Sequence, residues 1–414
     1  LKGDVMSWHK EKLKQDVLSS IDLSSEISDE ELLSIIDEIL VANSREHYIS
    51  LQEKINLRRE IFNSIRRLDV LQDMLDDSMV TEIMVNGTKD IFVEKNGAIT
   101  RCPKYFESEE KLEDVIQQIV SQSNRIVNAS SPIVDARLPD GSRVNIVLPP
   151  VALDGPVITI RRFPENPITI DRLIEYESIT SEAAEFLRKL VLARYNIFIS
   201  GGTGSGKTTF LNVLSNYIPC SERIITIEDS AELQLREIEN LVRLEVRNGN
   251  SDGSNQVTIR DLIKTSLRMR PDRIIVGEVR DEAAIDMLQA LNTGHDGSLS
   301  TGHANSPADM LNRLETLVLL GTDIPLMAVR RQIASAIDII VHLGRLRDKS
   351  RKVLEITEVQ GIKGDEIVLN PLYRFIEKGS KKDKVIGKLD KINELTYTEK
   401  LNRAGISMER NTYD

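Results

Sequence analysis

The hydrophobic pattern of this chain changes twice, near residue 70 and near residue 180. Before residue 70 the apolar positions keep a helical spacing. Leu32, Leu33, Ile35, Ile36, Ile39 and Leu40 form one stripe after a Ser28–Glu31 capping-box pattern. A further helix is predicted over Leu51–Leu68, with Ile55, Ile61 and Ile65 turned inward. Residues 1–68 are therefore expected to form a helical bundle or adaptor. From 69 to 165 the stripe gives way to short runs: Ile83–Val85, Ile91–Glu94 and Ile99–Thr100, separated by Asn86-Gly87 and Asn96-Gly97 turns. A helix over Leu112–Ser121 follows, then strands at Asp135–Leu138, Val144–Leu148 and Val157–Phe163, with a Pro139-Asp140-Gly141 turn after the first. This reads as an α+β domain. Pro164 and Pro167 punctuate a linker, 166–179. From 180 to 360 strands and helices alternate, at 196–200, 210–217, 223–227, 258–269, 273–277, 281–292, 298–301 and 307–319. That order predicts a mostly parallel sheet covered by helices, an α/β domain. Residues 361–414 read as a C-terminal tail, lysine-rich around Lys378–Lys391, whose charges suit a solvated face.

Composition narrows the class. At 414 residues the chain has room for two or three domains, and its hydrophobic fraction of 40% suits a water-soluble protein. No run of about twenty apolar residues exists, so no membrane-spanning helix is expected. No signal-peptide pattern is present. Cys102 and Cys220 stand alone, which fits a reducing cytosol and excludes a four-cysteine zinc site. A net charge of −11 argues against a generally nucleic-acid-binding surface.

The chemistry begins at Ile197-Phe-Ile-Ser-Gly201-Gly202-Thr203-Gly204-Ser205-Gly206-Lys207-Thr208-Thr209. An apolar strand runs into G-x-x-x-x-G-K-[ST], and helical spacing resumes at Phe210, Val213, Leu214 and Tyr217. Glycines let backbone N–H groups converge on an anion without Cβ obstruction. Lys207 is expected to reach the β- and γ-phosphates of ATP, and Thr208 to ligate Mg²⁺. Two strand-end acids follow, Glu228 in Arg223-Ile-Ile-Thr-Ile-Glu-Asp229 and Glu278 in Arg273-Ile-Ile-Val-Gly277-Glu-Val-Arg280-Asp281. One carboxylate must orient the attacking water and the other must help hold the Mg²⁺ shell. The residues alone leave open which does which. Many ATPases have aspartate where Gly277 stands. His295 and His303 bracket the segment Thr293–Asn305. A histidine there could donate to a γ-phosphate and report its loss. Two histidines without a cysteine partner supply too few ligands for zinc.

These motifs together resemble the secretion ATPases of type II and type IV systems and type IV pili. The likeness rests on the phosphate loop, the acidic box Thr226–Leu233, the Leu267–Asp281 stretch and the histidine box Thr293–Asn305. Within that group the chain is most similar to the CpaF-type ATPases of tight-adherence (Flp) pili. Asp135-Ala-Arg-Leu-Pro-Asp-Gly-Ser-Arg143, Pro149-Pro-Val-Ala-Leu-Asp-Gly-Pro156 and Gly344-Arg-Leu-Arg-Asp348 carry that finer likeness. The resemblance implies a homohexamer of subunits with a RecA-like P-loop ATPase domain and an N-terminal α+β (PAS-like) domain, with ATP between the two. It implies inner-membrane platform proteins as partners and a cytoplasmic, membrane-peripheral location. It matches Glu228 to the acidic-box residue that activates water and Glu278 to the Walker B glutamate. It matches Arg143 and Arg161, or Arg162 in place of the latter, to N-terminal-domain arginines that reach the γ-phosphate. The type IV secretion traffic ATPases are the alternative within the group.

Overall fold

The N-terminal helices start where serine and glutamate side chains satisfy amides that a helix leaves unpaired. The computed structural model describes residues 12–21, 27–46, 48–95, 97–122, 125–163, 167–247, 256–381 and 384–407. The chain divides into two units, Leu1–Glu165 and Asn166–Asp414. In the first, α1 (12–20) precedes α2 (Asp29–Glu46) and α3 (Leu51–Arg66). Glu31 N–H donates to Ser28 Oγ at 3.2 Å and Ser28 N–H to Glu31 Oε2 at 2.9 Å. Ser50 and Glu53 repeat the box at α3. Leu13, Leu32, Ile36, Leu40 and Ile61 meet in one cluster. Ile55, expected inward, is 52% exposed. The fully buried residues of α3 all lie in its C-terminal half, Ile61–Ser64, so the first turns have no core to face.

After α4 (Gln72–Leu75) come β1 (Val80–Asn86), β2 (Asp90–Lys95), β3 (Ala98–Arg101), α5 (Glu109–Gln122), β4 (Ile133–Arg137), β5 (Arg143–Val147) and β6 (Val157–Arg161). The strands form an antiparallel sheet in the order β3-β2-β1-β6-β5-β4. Alternate residues of β5 and β6 are buried, Val144 and Ile146 beside Ile158 and Ile160. They share a core with Leu112, Ile116 and Ile119 of α5. The opposite face, set by the period of two, carries Arg143, Asn145, Thr159 and Arg161, with Val147 and Val157 paired at one end.

The second unit runs α6 (Ile170–Glu175), α7 (Ser181–Leu192), β7 (Ile197–Gly201), α8 (Lys207–Ser215), β8 (Ile224–Glu228), β9 (Leu241–Glu245), α9 (Ile259–Ser266), β10 (Arg273–Val276), α10 (Ala283–Asn292) and β11 (Leu299–Gly302). It continues through α11 (Pro307–Gly321), α12 (Leu326–Ala336), β12 (Ile339–Arg345), β13 (Arg351–Lys363), β14 (Glu366–Lys381), β15 (Lys384–Lys391) and α13 (Glu399–Arg403). The nine strands lie in the order β15-β14-β13-β12-β7-β11-β10-β8-β9. Six are parallel, β12 to β9, and three extend the sheet antiparallel. Side chains on β7 alternate between two cores, Ile197 and Ile199 with α7 and α8, Phe198 with α9–α12. Strands buried on both faces read as continuous apolar runs, which is why β7, β8 and β10 were legible.

Three features differ from expectation. Residues 361–381 and 384–407 do not form a tail. β13 crosses position 360, β14 pairs onto it and β15 onto β14, and together they bury Leu372, Tyr373 and Leu389 in the core of the unit. Part of the expected linker, 170–179, is structured: α6 lies there, and Leu173 and Ile179 are buried. Pro164 falls outside the described residues. β9 was not predicted. It is an edge strand with only partial burial, so its apolar alternation is weak.

Candidate active site

The parallel strands deliver their C-terminal ends to one edge of the sheet, the place where α/β proteins build sites. Gly201 ends β7, and a Cβ there would lie 2.5 Å from the Leu343 carbonyl oxygen of β12. Gly204 and Gly206 hold φ of +70° and +95°, a left-handed backbone that suits glycine. α8 then begins at Lys207, so the loop sits on a helix N-terminus, where amides and dipole favour an anion. Lys207 is 8% exposed, and its ammonium donates to the Gly202 carbonyl at 3.2 Å. Burial holds its pKa below the usual lysine value, opposed by the charge of Glu278.

Glu278 follows β10 in a tightly fixed turn. Gly277 N–H donates to the Ile227 carbonyl at 2.8 Å and Val279 N–H to the Thr301 carbonyl at 3.0 Å. Thr301 Oγ1 donates to the Gly277 carbonyl at 2.8 Å. The Glu278 carboxylate lies 2.9 Å from His303 Nε2 and accepts from Arg280 Nη2 at 2.8 Å. His303, placed by the exit of β11, has Nδ1 3.3 Å from Lys207 Nζ. Burial and then the Lys207 charge keep its imidazole below the ordinary pKa, so it is neutral near pH 7. Lys207, His303, Glu278 and Arg280 form one continuous polar row beside the phosphate loop.

Glu228 ends β8 and is 3% exposed. Its Oε2 accepts from the Glu232 and Leu233 amides at 2.7 and 3.0 Å, while Oε1 is buried with no partner. Burial pushes the carboxyl up to about 7, and the two amides pull the other way. Gly277 makes room for it. A Cβ at 277 would stand 3.0 Å from Glu228 Cγ. A side chain at 277 would therefore press on Glu228.

The structure separates the two histidines. β11 and β7 are parallel, so His303 lies beside the phosphate loop and His295 lies before β11, at the opposite edge of the sheet. His295 Nδ1 is 3.1 Å from the Ala290 carbonyl, and the nearby Gly297 amide donates to Asn196 Oδ1. His295 therefore does not approach the phosphate loop within its own chain, and its expected role is the alternative one, toward a neighbouring subunit. Among the described residues no group of three histidine, cysteine or acidic side chains is arranged to hold a metal.

Arg143 and Arg161 belong to the N-terminal unit and pair across β5 and β6. Arg137 pairs with Arg143 across β4 and β5, so three guanidinium-bearing residues line up on the non-core face. Directly opposed like charges cost stability unless an anion or acid relieves them. Glu82 is opposite Arg161 on β1 and relieves part of this. Arg162 does not fit the role: Nη1 donates to the Asp77 and Val80 carbonyls.

Sequence reasoning missed Arg137, Arg280 and Arg351. The last donates from β13 to the Gly204 carbonyl of the phosphate loop at 2.9 Å. It also missed His342, whose Nδ1 is 2.9 Å from Ser200 Oγ just below Gly201. Only the register of β12 on β7 brings that pair together. The signal available in sequence was proximity to a motif: Arg280 lies within Leu267–Asp281 and Arg137 within Asp135–Arg143, while His342 and Arg351 only flank Gly344–Asp348.

Residues 66–404 match the family described as "Type II/IV secretion system protein". The chain belongs to the type II/IV secretion ATPase family. The conjugal transfer protein TrbB of Rhizobium radiobacter is 36% identical over 308 residues, covering 72% of this secretion ATPase and 89% of TrbB. Protein VirB11 of Agrobacterium fabrum is 34% identical over 304 residues, covering 66% and 87% respectively. Among solved structures, the Legionella pneumophila ATPase DotB aligns with a TM-score of 0.51 at 23% identity, covering 70% of this chain and 80% of that one. That likeness is one of fold. The RecA-like architecture and ATPase class follow from the family. Among the described residues of this secretion ATPase, no helix is long and apolar enough to cross a membrane.

The residues fit a magnesium nucleotide. The loop is a cradle that a Cβ at 201 would obstruct, Lys207 is a buried cation beside it, and Glu228 keeps one buried oxygen unpaired.

Proposed function

We propose that this secretion ATPase is a hexameric motor that uses ATP hydrolysis to drive macromolecular traffic at the inner membrane, in the manner of a type IV secretion ATPase. The row Lys207–His303–Glu278–Arg280 beside the phosphate loop carries the reading. It joins the phosphate-binding lysine to a strand-end acid through a neutral imidazole, so loss of a bound phosphate changes the charge balance of the whole row. Gly201–Thr209 would hold the phosphates, with Thr208 and, through water, Glu278 holding Mg²⁺. The magnesium supplies charge neutralisation at the transferring phosphoryl group. Glu228 is the water-orienting base. Its raised pKa places it near neutrality, where a base works best. Arg143 and Arg161, joined by Arg137, would supply guanidiniums from the N-terminal unit when the two units close about residues 164–170.

The conjugal transfer and VirB11 relatives support traffic of protein or DNA–protein substrates. Tight-adherence pilus assembly, placed first by the sequence motifs, is the second reading, favoured by Asp135–Arg143 and Gly344–Asp348. Platform proteins of the membrane machinery are the partners in either case, and nucleic acid is not bound directly. Prepilin genes beside this one would favour the pilus, and conjugation genes the traffic reading. Steady-state phosphate release tests the motor chemistry. The wild-type protein turns over MgATP, and Lys207→Ala lowers turnover by on the order of a hundredfold or more, because a charge on the transferring phosphoryl group is lost. Wild-type turnover in Lys207→Ala would remove the phosphate-loop assignment.

A further inference from the structure

The start of β13 makes contacts in two directions. On one side, Arg351 Nε donates to the Gly204 carbonyl at 2.9 Å, and Arg351 Cδ lies 3.6 Å from where a Cβ on Gly206 would stand. On the other, the Arg351 carbonyl accepts from Ser178 Oγ at 2.7 Å, and Val353 N–H donates to the Ser178 carbonyl at 2.8 Å. Between them Lys352 is 6% exposed. Its ammonium donates to the Tyr176 and Glu177 carbonyls at 3.2 and 2.8 Å. Tyr176 closes α6, so the ammonium sits at the negative end of that helix. Glu177 has φ +54°, a left-handed conformation that a residue with a side chain keeps only when its surroundings hold it. The Lys352 bond to the Glu177 carbonyl is one such hold. The three residues 176–178 follow α6, near the start of the second unit.

We propose that Arg351–Val353 is a coupling element that links occupancy of the phosphate loop to the order of residues 170–179. The inference rests on the loop binding nucleotide. A bound phosphate fixes the loop peptides whose amides point at it. The Gly204 carbonyl belongs to that loop, so fixing it strengthens the Arg351 bond and steadies the first residues of β13. Those residues hold 176–178 through four further hydrogen bonds. Linkage is reciprocal, so displacement of 176–178 must alter nucleotide affinity by the same factor.

Hydrogen exchange on the full chain tests this, because the Tyr176, Glu177 and Ser178 amides are hydrogen-bonded and report opening. In the wild type, a slowly hydrolysed ATP analogue with magnesium is expected to protect both the phosphate loop and residues 170–179. At 176–178 exchange slows on the order of tenfold. Lys352→Met and Ser178→Ala keep the loop protection and lose most of the response at 170–179. Should Lys352→Met fail to fold, Ser178→Ala carries the comparison, since it removes a single bond. Loop protection without any change at 170–179 in the wild type overturns the coupling, as does a full response in the variants. An unprotected loop overturns the nucleotide assignment itself and the coupling with it.

Discussion

At the scale of single residues, Glu228 shows a conflict between stability and chemistry. Its carboxyl titrates at about 7 in the folded chain, against an ordinary 4.5. The folded state therefore keeps the proton longer than the unfolded state. The stability attached to this group is fully present below about 4.5 and is lost as pH rises through 7. Glu228→Gln removes the titration. At pH 8, without nucleotide, the variant is expected to be more stable than the wild type by about 3 kcal/mol. At pH 5 the gain shrinks to about 1 kcal/mol. Urea denaturation at the two pH values measures it, and equal midpoint shifts would mean that the ionised carboxylate carries no penalty. The same variant binds ATP and hydrolyses it far more slowly. Glu228 was legible as a strand-end acid. Its unpaired oxygen and its need for Gly277 opposite were not, because both depend on β8 and β10 lying side by side.

At the scale of elements, the C-terminal strands are the clearest case of misleading composition. Lysines at 378, 381, 384, 388 and 391 suggest a solvated tail. Yet β14 and β15 bury Leu372, Tyr373, Val385 and Leu389, and Leu401 of α13 joins them. At roughly 2 kcal/mol for each buried side chain, these five contribute about 10 kcal/mol. That equals the whole stability of many domains. A chain ending at residue 360 is therefore expected to lose the cooperative thermal transition of the second unit. A truncated protein with the full-length melting temperature would refute this. The strands pair as consecutive hairpins, but their exposed positions are rich in charge, so the segment reads as a solvated run rather than as one face of a sheet. By contrast α8 and β7 were legible because the motif itself dictates a strand before it and a helix after it.

At the scale of the whole molecule, the row Arg137–Arg143–Arg161 belongs to one unit and the phosphate loop to the other. A motor of the proposed kind needs both. Arg143→Ala and Arg161→Ala are expected to lower turnover more than nucleotide affinity, by up to ~10³-fold if one of them acts alone. Mass measurement in solution with nucleotide is expected to give six subunits. Two fully active variants, or a persistent monomer, would remove support for the ring. The fold class of each unit could be read from periodicity, but cross-strand neighbours such as Arg137 and Arg143 become visible only with register. The open side of β15 closes the account of those lysines. The described sheet ends there, and an end strand leaves a ladder of amides and carbonyls ready to zip onto a similar strand. Lys384 and Lys388 stud that margin with ammonium groups, and Lys391 is paired with Glu394. Two copies sliding together edge to edge would bring like charges face to face before a single ladder bond formed. In an assembly that packs identical subunits closely, that repulsion discourages fibre growth.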